Sequence, residues 1–372
     1  MSRSARGDAA TQVSEGPPRA SPAVRGRGSS RDLPKGRGLL QRSGWRATVL
    51  LLAVAALGVV AITSVRYGSK PIPLGEVFDA FFAFDGSNDH LIIRSLRVPR
   101  TLVGLGVGAA LGLAGGLMQG TTRNPLADPG ILGVNAGAAL AVVIAIFVFG
   151  IGSLSVYVWF AFVGAAAASA LVYSLGSLGR EGATPIKLAL AGAAVSALLG
   201  ALTTAVLLID IATLDQYRFW AVGSLAGRDA QILAQVTPFL VVGGVAAIGL
   251  SRALNTLSLG EDVARSLGQR VALTQGISSG AVVLLVGAAV AAAGPIGFVG
   301  LTVPHVARAI TGPDYRWVLP YSAVLAPILL LGADVIGRVV ARPSEIQVGV
   351  VTAVVGAPFF IALVRRRKLA DL

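Results

Sequence analysis

The sequence predicts an all-α polytopic membrane protein, and three observations carry that expectation. Hydrophobic residues make up 54% of the 372-residue chain and charged residues only 13%. Apolar runs recur at lengths that cross roughly 30 Å of hydrocarbon, where a helix satisfies its backbone N–H and C=O groups internally. The charges gather between those runs and in a strongly basic opening stretch.

Residues 1–46 are rich in Arg, Gly, Ser and Pro and poor in large apolar side chains. Such a segment cannot bury enough surface to offset the entropy of ordering, so a disordered, basic, cytoplasmic tail is expected there. The first apolar run begins only near Ala47, too late for a cleavable signal peptide. The rest, 47–368, reads as one transmembrane domain.

Ten spans are expected, at 47–65, 101–119, 130–150, 156–178, 187–209, 230–250, 272–292, 296–310, 317–335 and 346–364. An even number places both termini on one side. Taking that side as cytoplasmic puts 22 Lys and Arg inside against 9 outside, the sense the positive-inside bias requires. The orientation leans on the tail and on Arg365-Arg366-Arg367-Lys368. The span 296–310 is short and interrupted by Pro304, which suggests a broken or tilted helix buried among its neighbours. Span two carries Gly104, Gly108, Gly112 and Gly116, then Gly120. A repeat of four lines one helix face with hydrogen only and lets another helix approach closely.

Composition also excludes function classes. With no cysteine and only His90 and His305, neither a disulfide, nor a thiolate or histidine metal site, nor redox chemistry is expected, and no cofactor is implied. The net charge of +13 resembles a nucleic-acid signal, but ten of the 31 Lys and Arg lie in the first 46 residues. Topology explains those charges better than nucleic-acid binding does. No GxxxxGK[ST] occurs, so the chain carries no P-loop of its own.

A solute pump needs an energy input. Proton-driven carriers place titrating groups inside their helices, and here the candidates reduce to His305 and Asp334. His305 follows Pro304 and reads as a structural group for carbonyls the proline frees. Asp334 stands four residues before Arg338, the spacing of a helix-surface ion pair. Sodium coupling through backbone carbonyls stays open. The other candidate is the amphipathic insert Leu259-Gly260-Glu261-Asp262-Val263-Ala264-Arg265-Ser266-Leu267-Gly268. Its acidic residues suit a helix start, Val263 and Leu267 are four apart, and a glycine near each end stops it. Spacing alone leaves it between a docking element for a soluble partner and a solvated loop.

Several ordered blocks then carry a specific likeness. Leu96-Arg97-Val98-Pro99-Arg100-Thr101-Leu102, Gly115-Gly116-Leu117-Met118-Gln119-Gly120 and Asn124-Pro125-Leu126-Ala127-Asp128-Pro129-Gly130 resemble the permease subunits of bacterial ABC importers for iron chelates and vitamin B12, the FecCD type. Gly294-Pro295-Ile296-Gly297-Phe298-Val299-Gly300 through His305, and Gly349-Val350-Val351-Thr352 through Phe360, are similarly close. The likeness spans about 47–368, and only the long basic tail departs from the family pattern.

The resemblance implies a ten-helix type II importer permease, similar to the vitamin B12 permease, in a bacterial cell membrane with both termini cytoplasmic. It implies a second permease subunit (a copy or a paralogue), two ATP-binding cassette subunits below and a substrate-binding protein above. This subunit is then no enzyme, because ATP hydrolysis belongs to the partner. Leu259, Gly260, Glu261, Asp262, Ala264, Arg265, Leu267 and Gly268 match the family's loop that docks the ATPase. Arg97, Arg100 and Arg338 match arginines that pair with acidic residues of the binding protein, a role that exposed guanidinium groups suit. Interface snorkelling is the plainer alternative. Tyr217, Phe219 and Trp220 suit an aromatic belt at the membrane surface, and Gly182-Ala183-Thr184-Pro185 occupies the region of a cytoplasmic gate. Ferric siderophore is the first cargo expected, ahead of cobalamin and haem. An ion-coupled secondary carrier is the rival from another class, and a non-transporting scaffold a weaker third.

Overall fold

The computed structural model describes residues 39, 43–68, 70–178 and 184–365. Most of the expected tail, the segment 179–183 that includes part of the gate region, and Arg366 to Lys368 lie outside the described residues. No strand occurs among the described residues.

Each of the ten expected spans coincides with a helix. They are α1 (Ser43–Arg66), α4 (Val98–Thr122), α5 (Val134–Phe149), α6 (Leu154–Gly176), α7 (Pro185–Ile209), α9 (Ala230–Gly249), α12 (Val271–Ala293), α13 (Val299–Thr311), α14 (Tyr315–Val340) and α15 (Val348–Arg365). Short helices fill the connections: α2 (Leu74–Phe82), α3 (Asn88–Ile92), α8 (Ile211–Ala221), α10 (Ser251–Leu257) and α11 (Glu261–Ser266). Among the described residues, seven helices are long and apolar enough to cross a membrane; α5 and α15 are apolar but shorter. At 13 residues, α13 rises only about 20 Å. Val299, Val303, His305 and Ala307 on it are buried, as expected for a short helix held inside the bundle, and it continues through Pro304. Helix α1 begins at Ser43, inside the segment expected to be disordered, and the Tyr321 hydroxyl donates to the Arg46 carbonyl at 2.6 Å.

The bundle is built around α4, which packs on α14, α12, α13 and α9. The glycine ridge makes this possible. A Cβ on Gly104 would meet Leu331 at 2.5 Å, one on Gly108 the Pro327 backbone at 2.6 Å, one on Gly116 Leu319 at 2.7 Å and one on Gly120 Tyr315 at 2.9 Å. Gly112 would collide with the Ser322 carbonyl. All five therefore face one antiparallel helix, α14, whose side chains descend in register from Leu331 to Tyr315. Close approach of this kind gains dispersion contacts that lipid cannot supply. Helix α1 is the opposite case. Only Ser64 and Val65 are buried, and Leu51, Leu52 and Val59 are exposed, a surface suited to hydrocarbon.

Candidate functional site

Two polar clusters stand at opposite ends of the bundle. The first lies where α1 ends, α4 begins and α14 ends. Just ahead of α4 the backbone widens into a π turn over Ile93–Arg97. Pro99 lacks an N–H and its ring would press on the carbonyl four residues back, which favours such a widened turn. Arg97 leaves this turn toward the end of α1. Its Nη1 donates to the carbonyls of Val65 (2.9 Å) and Arg66 (2.6 Å), and its Nη2 to that of Lys70 (2.5 Å).

Arg338 approaches the same helix end from α14, donating to the carbonyls of Ser64 (2.9 Å) and Tyr67 (2.7 Å) and to the Ser64 hydroxyl. Two guanidinium groups thus satisfy carbonyls that a helix C-terminus leaves open, where the helix dipole also favours positive charge. Arg338 pairs in addition with Asp334 at 2.8 Å. Arg100 binds both oxygens of Asp334, at 3.2 and 2.7 Å, and reaches Glu345 at 2.7 Å.

The three sequence-derived arginines are therefore brought together, with a correction to their expected exposure. Arg97, Arg100 and Arg338 are 7%, 14% and 4% exposed, and their donors are already engaged inside the chain. The Asp334–Arg338 pair exists at the expected spacing, but it is buried rather than on a helix surface. All three line a cleft of about 670 Å³ together with Lys70, Arg228 and Glu345. A second cavity of about 200 Å³ shares Arg100, Arg228 and Glu345 with it and is walled by Tyr157, Gln216 and Trp220. Sequence reasoning missed Arg228 and Glu345. Arg228 lies eight residues beyond Trp220 and carried no signal apart from its charge.

The aromatic belt needs a second correction. Phe219 is well exposed, but Trp220 is buried and leans on Tyr217 with ring centroids 5.9 Å apart. The stretch is helical because Asp210 caps α8, accepting from the Thr213 N–H at 2.9 Å, and one face of a helix must turn inward.

At the opposite end sits the 259–268 insert. Gly260 (φ +109°) and Gly268 (φ +80°) adopt backbone conformations that favour glycine and bracket α11. Ala264 is fully buried against Leu257 and Val271, which fixes the roll of the short helix. Leu259, Val263 and Leu267 are left 62%, 45% and 64% exposed. Arg265 pairs with Glu261 at 2.9 Å and Asp262 at 3.2 Å. Glu261 also faces Arg123 of the α4 C-cap at 3.7 Å and accepts from Gln275 of α12 at 3.3 Å. The insert is therefore a folded knob with an unpartnered apolar crown and a charged base joined to α4 and α12, not a loose loop.

The knob is also tied to α14. Asn255 of α10 donates to Asp314 at 2.6 Å and accepts from the Tyr315 N–H at 2.8 Å, while Asp314 caps the start of α14. Partial burial pushes the Asp314 carboxyl upward, but hydrogen bonds from Arg316 and Asn255 outweigh it and hold it at about 2. Nearby, buried Arg308 donates to Gln119 at 2.7 Å, and Gln119 donates to the Leu301 carbonyl at 3.0 Å. His305 is buried, but its Nδ1 has no hydrogen-bond partner, so the expected bond from the imidazole to a freed carbonyl is not made through that nitrogen. Among the described residues no group of His, Cys, Asp and Glu is placed to hold a metal.

The likeness to known proteins covers this whole arrangement. The pattern of the FecCD transport family matches residues 53–366. This chain belongs to the FecCD transport family. The FecCD chain is 46% identical over 324 residues to the probable siderophore transport system permease protein YfiZ of Bacillus subtilis (strain 168), covering 87% of the chain and 97% of that relative. It is 47% identical over 319 residues to the ferric enterobactin transport system permease protein FepD of Escherichia coli (strain K12), covering 86% and 94%. A solved structure described as a metal-chelate type ABC transporter in an inward-facing conformation superposes with a TM-score of 0.76 at 29% identity, over 86% of this chain and 99% of that one. The FecCD chain is thus a multi-pass membrane permease of the ABC importer kind, and its relatives are transport subunits rather than enzymes.

Proposed function

We propose that this FecCD permease carries ferric siderophore across the bacterial cell membrane, driven by a separate ATPase subunit that grips the α11 knob. The observation that carries the mechanism is the crown of Leu259, Val263 and Leu267, exposed on a helix whose opposite side is locked by Ala264. Exposed apolar residues rimmed by charge are the usual form of a protein docking site. Force applied there has two stiff routes inward, through Glu261 to Arg123 on α4 and through Asn255 to Asp314 on α14. ATP binding by the partner shifts the bundle between inward-open and outward-open states, and the chain itself makes and breaks no bond in the cargo. The cargo class follows from the relatives' siderophores.

In this reading the α11 end, with both termini, is cytoplasmic and the arginine end faces outward, as the Lys and Arg distribution favours. A second permease subunit and two ATPase subunits complete the assembly. The basic cleft receives acidic side chains of a substrate-binding protein, with Arg97, Arg100 and Arg338 supplying the positive field. Because these groups are engaged internally, a docking carboxylate works mainly through that field or by exchanging with Glu345 at Arg100. The deciding experiment is reconstitution into vesicles with and without the companion ATPase and binding protein. Ferric chelate uptake that requires both and stops without ATP is the expected result. Uptake driven by an ion gradient in the permease alone would make the chain a secondary carrier.

A further inference from the structure

Arg228 is a buried cation at the arginine end for which the chain supplies no anion among the described residues. It follows Gly227 in the turn before α9 and is 7% exposed, yet among the described residues no hydrogen bond or ion pair reaches its guanidinium, and its Nε is buried without a partner. The adjacent carboxylate is committed elsewhere, since Asp229 caps α9 by accepting from the Ile232 N–H at 2.9 Å. Burial lowers the Arg228 pKa to about 10, so the group is still charged at neutral pH. A desolvated cation with no acceptor is costly, and such a group persists where it meets an anion in the working state.

The charges around it do not supply that anion. Asp334 and Glu345 are both bound by Arg100, and Asp334 also by Arg338, while Arg97 is held by carbonyls alone. Of these four guanidinium groups, Arg100 and Arg338 share the two carboxylates, Arg97 is held by carbonyls, and Arg228 has neither kind of acceptor among the described residues. It lies in the wall common to both cavities. The larger, at about 670 Å³, falls in the range of small-molecule sites, roughly 300–1,000 Å³. The smaller adds the neutral polar groups of Tyr157 and Gln216 and the ring of Trp220.

We propose that Arg228 is an anion-binding subsite for the cargo, a guanidinium fork that takes carboxylate or other anionic oxygens of a negatively charged ferric chelate, with Tyr157 and Gln216 as neutral hydrogen-bonding partners. The assignment rests on the importer reading. A small chelate is favoured over an acidic side chain of the docked protein because a cation this covered lies beyond easy reach of a surface carboxylate, whereas a chelate can enter the cavity. Planar bidentate recognition of carboxylate is what guanidinium supplies and ammonium does not.

The test uses the complete transporter in nanodiscs, with retention of radiolabelled ferric citrate as the anionic probe and a neutral ferric trihydroxamate as control, comparing wild type, Arg228→Gln and Arg228→Lys. The expected result is ferric citrate affinity at least tenfold weaker in Arg228→Gln, intermediate in Arg228→Lys, and the neutral chelate unchanged. Equal citrate retention in wild type and Arg228→Gln, including no retention by either, overturns the proposal, as does equal weakening for both chelates. Thermal stability without cargo is the second readout. Removing an unpaired buried charge leaves the melting temperature unchanged or raises it, and a clear drop would make Arg228 a structural group instead. If Arg228→Gln weakens cargo-free binding-protein docking while citrate retention persists, the anion belongs to that protein. Vesicle uptake separates the two levels: failure of the wild type to accumulate any ferric chelate sinks the importer reading, while retention on the purified transporter still decides Arg228.

Discussion

Asp334 and Arg338, one turn apart on α14, meet at 2.8 Å with neither side chain more than 4% exposed, and Arg100 of α4 closes on the same carboxylate from across the helix interface. One carboxylate thereby holds two cations from different helices, and Arg338 passes the connection on to the end of α1. Removing the shared partner leaves both cations buried and under-compensated, which typically costs about 3–5 kcal/mol. Asp334→Asn should lower the melting temperature of the purified permease far more than Asp262→Asn, a change on the α11 surface. Equal melting temperatures for the two variants would show that the triad contributes little.

The apolar crown of α11 is a second point of failure. Leu259→Asp or Leu267→Asp should weaken capture of the companion ATPase subunit at least tenfold, because a charge placed in a docking patch must be desolvated without a partner. Folding should be spared, since both side chains are exposed. Joint replacement of Glu261 and Asp262 by Gln and Asn should leave assembly in place and uncouple ATP hydrolysis from uptake. Unaltered capture in the Leu variants, read by pull-down with purified ATPase, argues against the knob as the grip.

Substitutions at the glycines of α4 should fail in proportion to what they meet. A methyl at Gly115 collides with the Gly300 carbonyl and one at Gly108 with the Pro327 backbone, neither of which can rotate away. Either Gly→Ala change should cost about 1–3 kcal/mol by overpacking. Gly58 of α1 meets nothing within 4 Å, so Gly58→Ala should be neutral or slightly stabilising through helix propensity. Melting curves of the three variants in one detergent check the order.

Asp314 links stability to acid. Its carboxyl is held at about 2, below the ordinary value of 3.8, so its contribution is complete above pH 4 and disappears as the pH falls through 2. That contribution is about 1 kcal/mol after allowance for solvent screening. Asp314→Asn should be less stable than wild type at pH 6 and should lose less further stability between pH 4 and pH 2. Parallel losses over that range would mean that other carboxylates dominate.

Charge reversal at the basic cleft should act on encounter with the binding protein. Arg100→Glu should slow docking and flatten its salt dependence, because steering between opposite charges is what salt screens. An unchanged association rate at low salt would remove Arg100 from the docking assignment.

What the sequence made legible divides by range. Long apolar runs announce their helices, so all ten segments were placed within a few residues, and the four-residue glycine spacing marked the tight face of α4. The Asp334–Arg338 spacing showed one ion pair. It could not show Arg100, which reaches Asp334 from 234 residues away in the chain, nor the burial that turns a surface pair into a core triad. The short helices α2, α3 and α8 went unread because brief amphipathic stretches resemble loops when their partners are unknown. Trp220 was assigned to the surface for the same reason: hydropathy reports that a ring is apolar, not which side of a helix it occupies.

The five glycines of α4 that seat α14 also limit how this molecule can move. Two rods interlocked along their whole length, each ridge matched by a backbone or branched side chain, cannot slip by one turn without driving carbonyls into carbon. They travel as a single beam, from the knob-bearing end to the arginine end. Whatever opens or closes the conduit must do so by swinging that beam against its looser neighbours, with both ends answering to the same stroke.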